Sequence, residues 1–200
     1  VNTTATTDAW VRDVPVGTTL NFPNDANPGN DVTDDCSNKA FVTGNAGGQA
    51  ATDDVDGGST TLYSPIFDMT GYIWPELQYS RWFFNAGGTG VPNDSLHISL
   101  SNGITTIDIE NVTINTPGAS TWMNKSFPLI GLIPFTSTMQ LIVRTADATP
   151  GHIVEAGFDN FKIIETGVGV KSVSAVNDAF SVSPNPSNAD FMLQLPTWEV

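Results

Sequence analysis

Short runs of alternating polar and apolar residues recur along this chain, whereas the spacing of an amphipathic helix is almost absent. No stretch keeps apolar residues at i, i+3, i+4 and i+7 for three turns without an interrupting Gly, Pro or Asn-Gly. β-Branched and aromatic runs bounded by turn residues instead predict eight short strands. These are Ala40–Thr43, Thr60–Tyr63, Glu76–Phe84, Ser95–Ser101, Ile104–Val112, Thr121–Pro128, Met139–Arg144 and Ala156–Ile164. We therefore expect an all-β fold.

The connections between these strands favour two packed sheets. Long connections such as Asn21–Lys39 and Asn85–Asn93 suit strands that cross between sheets better than a simple meander. Leu96, Ile98 and Leu100 alternate with polar residues, which is typical of a strand with one buried face. The predicted fold is a two-sheet antiparallel jelly-roll sandwich.

Charge and cysteine content exclude several classes of function. The formal net charge is −14, with 21 acidic residues against 7 basic ones, which argues against nucleic acid and anionic membrane surfaces as partners. Cys36 is the only cysteine, so neither an internal disulfide nor a cysteine-zinc cluster can form. No apolar run approaches the roughly 20 residues of a membrane helix, so we expect no membrane insertion.

An acidic turn, Asp54-Val55-Asp56-Gly57-Gly58, runs directly into a predicted strand. Carboxylates on a glycine-bearing turn suit a hard cation, because glycine lets the backbone carbonyls turn inward beside them. Asp54 and Asp56 are therefore candidate calcium ligands. The spacing does not fit an EF-hand, and the alternative is a solvated acidic turn at the end of a strand.

Catalytic motifs are missing from the chain. It contains neither Gly-x-Ser-x-Gly nor His-Glu-x-x-His, and adjacent acidic pairs such as Asp53 and Asp54 would point to opposite faces of a strand. Its two histidines, His97 and His152, are expected at the surface. We therefore predict that this chain is not an enzyme.

Aromatic residues offer a possible binding surface. Tyr72, Trp74, Trp82 and Trp122 could stack against sugar rings, whose C–H faces pack on aromatic surfaces. Core burial is the alternative for Trp82 and Trp122. Trp74 with Tyr72 is thus the predicted ligand-binding pair.

The composition divides the chain into three parts. Residues 1–165 are the predicted sandwich, and residues 166–179 are a small, Gly- and Ser-rich predicted linker. Residues 180–200 predict a strand, a proline turn and a second strand, which is too little chain for an independent β domain.

The last segment resembles a known secretion signal. Val182-Ser183-Pro184-Asn185-Pro186-Ser187, followed by Phe191-Met192-Leu193, resembles the start of the C-terminal sorting domain of the type IX secretion system of Bacteroidota. The resemblance implies export by that machinery and release or attachment at the bacterial outer surface. Since that sorting domain is several times longer, the resemblance also implies that the chain is part of a longer protein.

A series of ordered landmarks runs through the body of the chain. They are Trp10, Phe41-Val42-Thr43-Gly44-Asn45, Asp54-Val55-Asp56-Gly57-Gly58, Ser64-Pro65, Arg81-Trp82, Ser101-Asn102-Gly103 and Glu155-Ala156-Gly157-Phe158-Asp159-Asn160-Phe161. With these landmarks the body resembles a jelly-roll accessory module of secreted hydrolases, especially zinc carboxypeptidase-like proteins. The resemblance implies a structural calcium ion shared by Asp159, Asp54 and Asp56. The alternative for Asp159 is a strand cap or an ion pair with Arg81 or Arg144. Ala40 departs from the family, which often has a cysteine there.

Together these observations predict a non-catalytic, calcium-stabilised extracellular module that mediates adhesion or substrate proximity. Its expected partners are a glycan or cell-surface ligand and a catalytic domain preceding it in the same polypeptide. The alternatives are a structural spacer that packs against an upstream metallopeptidase or other hydrolase domain, and a self-associating adhesin or filament subunit.

Overall fold

The computed structural model of this protein has most of its strands in two five-stranded sheets. It describes residues 1–33 and 35–167 and, beyond them, two short strands. The first sheet has the strand order β1 (Asn2–Thr3), β6 (Gly58–Tyr63), β11 (Gln140–Asp147), β8 (Leu96–Ser101) and β9 (Thr106–Val112). The second has the order β10 (Met123–Pro128), β7 (Pro75–Ala86), β12 (Ile153–Glu165), β4 (Ala40–Thr43) and β2 (Trp10–Asp13).

All pairings within the two sheets are antiparallel, and the chain crosses between the sheets repeatedly, except that β8 and β9 pair as neighbours in the first sheet. β6, β8 and β11 belong to the first sheet, whereas β7, β10 and β12 belong to the second. The predicted all-β antiparallel sandwich is therefore confirmed, and each of the eight predicted strands is present. Strands missed by the prediction are β1, β2, and the parallel pair β3 (Thr18–Thr19) and β5 (Gly48–Gln49), which precedes a 3₁₀ turn at Ala50–Thr52.

The main core lies between the two sheets and follows the two-residue period of the strands. On β8, Leu96, Ile98 and Leu100 are fully buried, while the intervening residues are only partly buried. On β12, Val154 and Phe158 face the same core, so Glu155 and Asp159 point to the outer face of the second sheet. That outer face carries the acidic residues considered below.

Part of this outer face is itself buried under the connection from β2 to β4, residues 14–39. Trp82 is fully buried there with Ala40 and Val42. The ring of Trp122 packs edge-on against the Trp82 ring, with 6.4 Å between the ring centroids. Gly157 lies directly beneath the indole, where an added Cβ would be 2.0 Å from Trp82 Nε1. Trp82 thus belongs to the structural core, and Trp122 is partly buried against it.

The chain divides into two compact units, Val1–Gly167 and Val168–Val200. In the second unit, β13 (Ser181–Ser183) and β14 (Met192–Gln194) pair antiparallel. The rest of the predicted sorting segment 180–200, and the predicted linker beyond Gly167, lie outside the described residues. Within the described part, no helix has the length and apolar character needed to cross a membrane.

Candidate functional site

Asp159 meets two acidic residues of the overlying connection on the outer face of the second sheet. It lies opposite Ser80 of β7, immediately before an irregularity in the pairing at which Asn160 adopts a φ of 52°. Asp31 and Asp35 approach from the connection between β2 and β4. One carboxylate oxygen from each of the three acidic residues lies within 4.8 Å of the others. We call this group the Asp159 centre.

The electrostatics of the Asp159 centre favour a bound cation. Burial, together with hydrogen bonding to Asp31 and the charges of Asp31 and Asp35, raises the pKa of Asp159 to about 6. The Oδ2 atoms of Asp31 and Asp159 are both buried, and neither has a hydrogen-bond partner in the described part of the chain. Three carboxylates at this distance repel one another unless a proton or a cation neutralises them.

The residues of the Asp159 centre fit a hard divalent cation. Carboxylate oxygens are the preferred ligands of calcium, which takes roughly six to eight oxygen ligands, some from water. A cleft of about 350 Å³ beside Asp31, lined also by Asn30, Trp122 and Asn124, leaves room for water ligands. The Asp159 centre therefore suits an oxygen-liganded ion that joins the β2–β4 connection to β12.

The structure does not bring Asp159 to the other two predicted ligands, Asp54 and Asp56. Oδ2 of Asp54 accepts a hydrogen bond from Val154 N at 3.2 Å, and Val154 is five residues before Asp159 on β12. Five residues of strand span about 16 Å, so Asp54 lies far from Asp159 along β12. The predicted sharing of one ion by all three residues is therefore corrected. Asp31 and Asp35 accompany Asp159 instead, and metal binding by Asp54 or Asp56 remains a prediction.

The alternative ion pairs for Asp159 are not formed either. Arg81 binds Glu110, with 2.6 Å between Nη2 and Oε1. Arg144 is exposed on β11 of the first sheet, whereas Asp159 belongs to the second sheet. No basic residue thus neutralises Asp159 in the described part of the chain, where its electrostatic neighbours are acidic.

Asp54 belongs to a second acidic group, which we call the Glu155 cluster. It consists of Glu155, Asp53 and Asp54, which are 0%, 2% and 4% exposed, together with the partly buried Asp8. Asp8 and Asp53 share a hydrogen bond. The exposed Asp56 lies at the edge of this group and acts on Asp54 electrostatically. Alternation places Glu155 on the same face of β12 as Asp159, but sequence alone gives no sign of its burial.

Burial has a strong effect on the protonation of the Glu155 cluster. It raises the pKa of Glu155 to about 9, and the charges of Asp53, Asp54 and Asp8 act in the same direction. The hydroxyl of Thr18 lies 2.7 and 2.8 Å from the two oxygens of Glu155 but carries only one proton to donate. Burial also raises the pKa of Asp54 to about 7. Glu155 and Asp54 therefore hold their protons at pH values well above the range in which carboxylates ordinarily titrate.

The predicted ligand-binding aromatic residues have different environments. Trp74 is 51% exposed, and its backbone N–H donates to Glu165 Oε1 at 2.6 Å. Tyr72 is partly buried in a mainly apolar cleft of about 310 Å³, lined also by Phe67 and Phe161. Trp74 does not line that cleft. Among the residues that the structure describes, there is thus one exposed indole and a separate apolar cleft.

The histidines are not both at the surface. His97 is only partly exposed, and its Nε2 lies 2.8 Å from the Ser95 hydroxyl. His152 is 4% exposed, with its Nδ1 3.2 Å from Asp94 Oδ2, so the expected surface position is wrong. The burial arises because the ends of β8 and β12 meet, which a single sequence does not reveal.

Comparison with known proteins gives no assignment. No family model and no curated protein matches this chain. The function proposed for the chain therefore rests on its own sequence and on the geometry of its residues.

Proposed function

We propose that this chain is a calcium-stabilised, non-catalytic accessory module of an extracellular protein. The observation that carries the proposal is the Asp159 centre, in which Asp31, Asp35 and Asp159 place oxygens within 4.8 Å of one another, with no basic partner among the described residues. An ion there would link a long connection to β12 in the second sheet. Calcium in proteins is bound by such oxygen donors. Because the donors belong to two separate segments of the chain, the bound ion acts as a structural cross-link.

The extracellular context is part of the same proposal. It is supported by the resemblance of Val182–Leu193 to a type IX sorting segment and of the body to accessory modules of secreted hydrolases. On this proposal the module is exported by that machinery, acts at or near the bacterial surface, and accompanies a catalytic domain of the same polypeptide.

A surface-binding role is the second part of the proposal. It is supported by the exposed indole of Trp74 and by the apolar cleft around Tyr72, which together offer aromatic surface to a glycan or cell-surface ligand. A structural spacer, or a self-associating adhesin or filament subunit, would need neither feature. Binding assays therefore separate these roles.

Calcium titration with thermal unfolding tests the central claim. Wild-type protein freed of metal with EGTA is expected to melt at a lower temperature, and calcium at 100 times its Kd should restore about 2.7 kcal/mol of stability. Asp159→Asn should abolish the calcium response. Asp56→Asn is the matched control, because Asp56 is exposed and belongs to the other acidic group.

Two outcomes would overturn the proposal. If the melting temperature of the wild-type protein responds neither to EGTA nor to calcium, no bound calcium stabilises the fold. A response that persists in Asp159→Asn but disappears in Asp56→Asn moves the ion to the acidic turn. Light scattering during the same work would reveal self-association.

A further inference from the structure

Three potential metal ligands from separate parts of the chain meet at one end of the sandwich. Asp94 lies two residues before β8, Asp147 ends β11, and His152 directly precedes β12. One donor atom from each lies within 4.8 Å of the others. We propose that these residues form a second metal centre, distinct from the Asp159 centre, which takes a borderline divalent ion such as Zn²⁺.

The spacing of the donor atoms fits a small ion. His152 Nδ1 and Asp94 Oδ2 are 3.2 Å apart. A tetrahedral zinc ion with bonds of about 2.0–2.1 Å places its ligand atoms about 3.3–3.4 Å from one another. Since a simple ion pair between the two groups has a similar length, the surrounding contacts decide between the two interpretations.

Backbone N–H groups orient both carboxylates. Ala148 N donates to Asp94 Oδ1 at 2.7 Å, which leaves Oδ2 directed at the imidazole. His152 N donates to Asp147 Oδ1 at 2.9 Å, and Gly57 N donates to its Oδ2 at 3.2 Å. Such hydrogen bonds hold metal ligands in place and limit the entropy that is lost on binding.

A buried amide beside the centre has an oxygen without a partner. Asn85 is 7% exposed, and its Nδ2 donates to the backbone oxygen of Asp94 at 3.2 Å. This bond holds the amide against Asp94, and Asn85 Oδ1 has no hydrogen-bond partner in the described structure. His152 Nε2 is likewise buried without one. A plain ion pair leaves the amide oxygen of Asn85 unsatisfied, whereas a water molecule bound to a cation can donate a hydrogen bond to it.

The chemistry of the donor set selects the class of ion. An imidazole nitrogen with two carboxylates suits zinc and related borderline metals, whereas calcium prefers oxygen ligands alone. A divalent ion also balances the two buried or partly buried negative charges when the imidazole is neutral. The Asp159 centre has only carboxylates, so it should prefer calcium to zinc.

Cobalt provides a spectroscopic test of the full chain, since Co²⁺ replaces Zn²⁺ in such sites and absorbs visible light when bound by few ligands. With calcium in excess to fill the Asp159 centre, wild-type protein is expected to bind one equivalent of Co²⁺, which Zn²⁺ then displaces. His152→Gln and Asp147→Asn should each bind at least about tenfold more weakly.

His97→Gln is the matched control, because it removes the other histidine of the chain and should leave cobalt binding unchanged. Asp159→Asn should also retain it, so that loss of the calcium centre and loss of this centre are distinguishable. The proposal is overturned if wild-type protein yields no cobalt spectrum, or if His152→Gln binds Co²⁺ as tightly as wild type. Circular dichroism of each variant confirms that a lost signal does not reflect unfolding.

Discussion

Arg81 on β7 and Glu110 on β9 form an ion pair that ties the two sheets together, with 2.6 Å between Nη2 and Oε1. Tyr79 donates its hydroxyl to Glu110 Oε2 at 2.8 Å, and Lys125 Nζ lies 3.2 Å from Oε1. Burial acts to raise the pKa of Glu110, but the hydrogen bonds from Arg81 and Tyr79 outweigh it and lower the pKa. Glu110 thus remains charged and compensates a guanidinium that is almost fully buried.

Removing the charge of Glu110 should be costly. Glu110→Gln leaves the Arg81 guanidinium, 1% exposed, without its counter-charge, and loss of one partner of a buried pair costs about 3–5 kcal/mol. Urea denaturation measures this loss. Lys39→Gln is the control, since its pair with Asp13 is solvent-exposed and its loss should change stability far less. Equal effects of the two variants would show that the inter-sheet pair is not structurally important.

Gly157 is expected to tolerate no side chain. Gly157→Ala would place a Cβ 2.0 Å from Trp82 Nε1, so the fully buried indole would have to shift, at a cost of about 1–3 kcal/mol or more. Gly71→Ala, where no atom lies within 4 Å of the added Cβ, should change stability by less than about 0.5 kcal/mol. Thermal unfolding compares the two variants. A melting temperature for Gly157→Ala within error of that for Gly71→Ala would contradict this packing.

The strands could be predicted from the sequence because alternation is a local property. Residues such as Leu96, Ile98 and Leu100 reveal their face within one short run. The partners of Asp159 could not be predicted in this way. Asp31 and Asp35 reach it only through the path of the long β2–β4 connection, which no local pattern specifies.

Dependence on contacts between distant segments also explains the other differences between the sequence predictions and the structure. Trp10–Asp13 pairs with β4 at the edge of the second sheet, but only Trp10 of its four residues is buried, so the strand lacks a buried alternating face. His152 lies just before β12 and Glu155 lies within it. Each is buried against a residue from a distant segment, His152 against Asp94 and Glu155 against Thr18. Burial of polar residues is decided by tertiary contacts, so hydropathy alone assigns such residues to the surface.

Trp74 should contribute to ligand binding without contributing much to stability. Because half of its surface is exposed, Trp74→Ala is expected to weaken retention on insoluble polysaccharides by about tenfold, which corresponds to the roughly 1–2 kcal/mol of an aromatic stacking contact. Pull-down assays with unfolding controls measure this effect. Ile104→Ala, at a residue that is 86% exposed, is the matched control and should bind normally. Absence of wild-type binding to every polysaccharide would favour the structural spacer.

Glu155 should make the metal-free protein less stable as the pH rises. Its folded-state pKa of about 9 lies above its ordinary value of 4.5, so its contribution is complete below pH 4.5 and is lost as the pH rises towards 9. The slope for one proton is at most about 1.4 kcal/mol per pH unit. In EGTA, Glu155→Gln should therefore flatten the decline in melting temperature between about pH 5 and about pH 8.5, while Asp108→Asn, at an exposed residue of β9, should not. Parallel wild-type and Glu155→Gln profiles would show that Glu155 does not carry this buried proton.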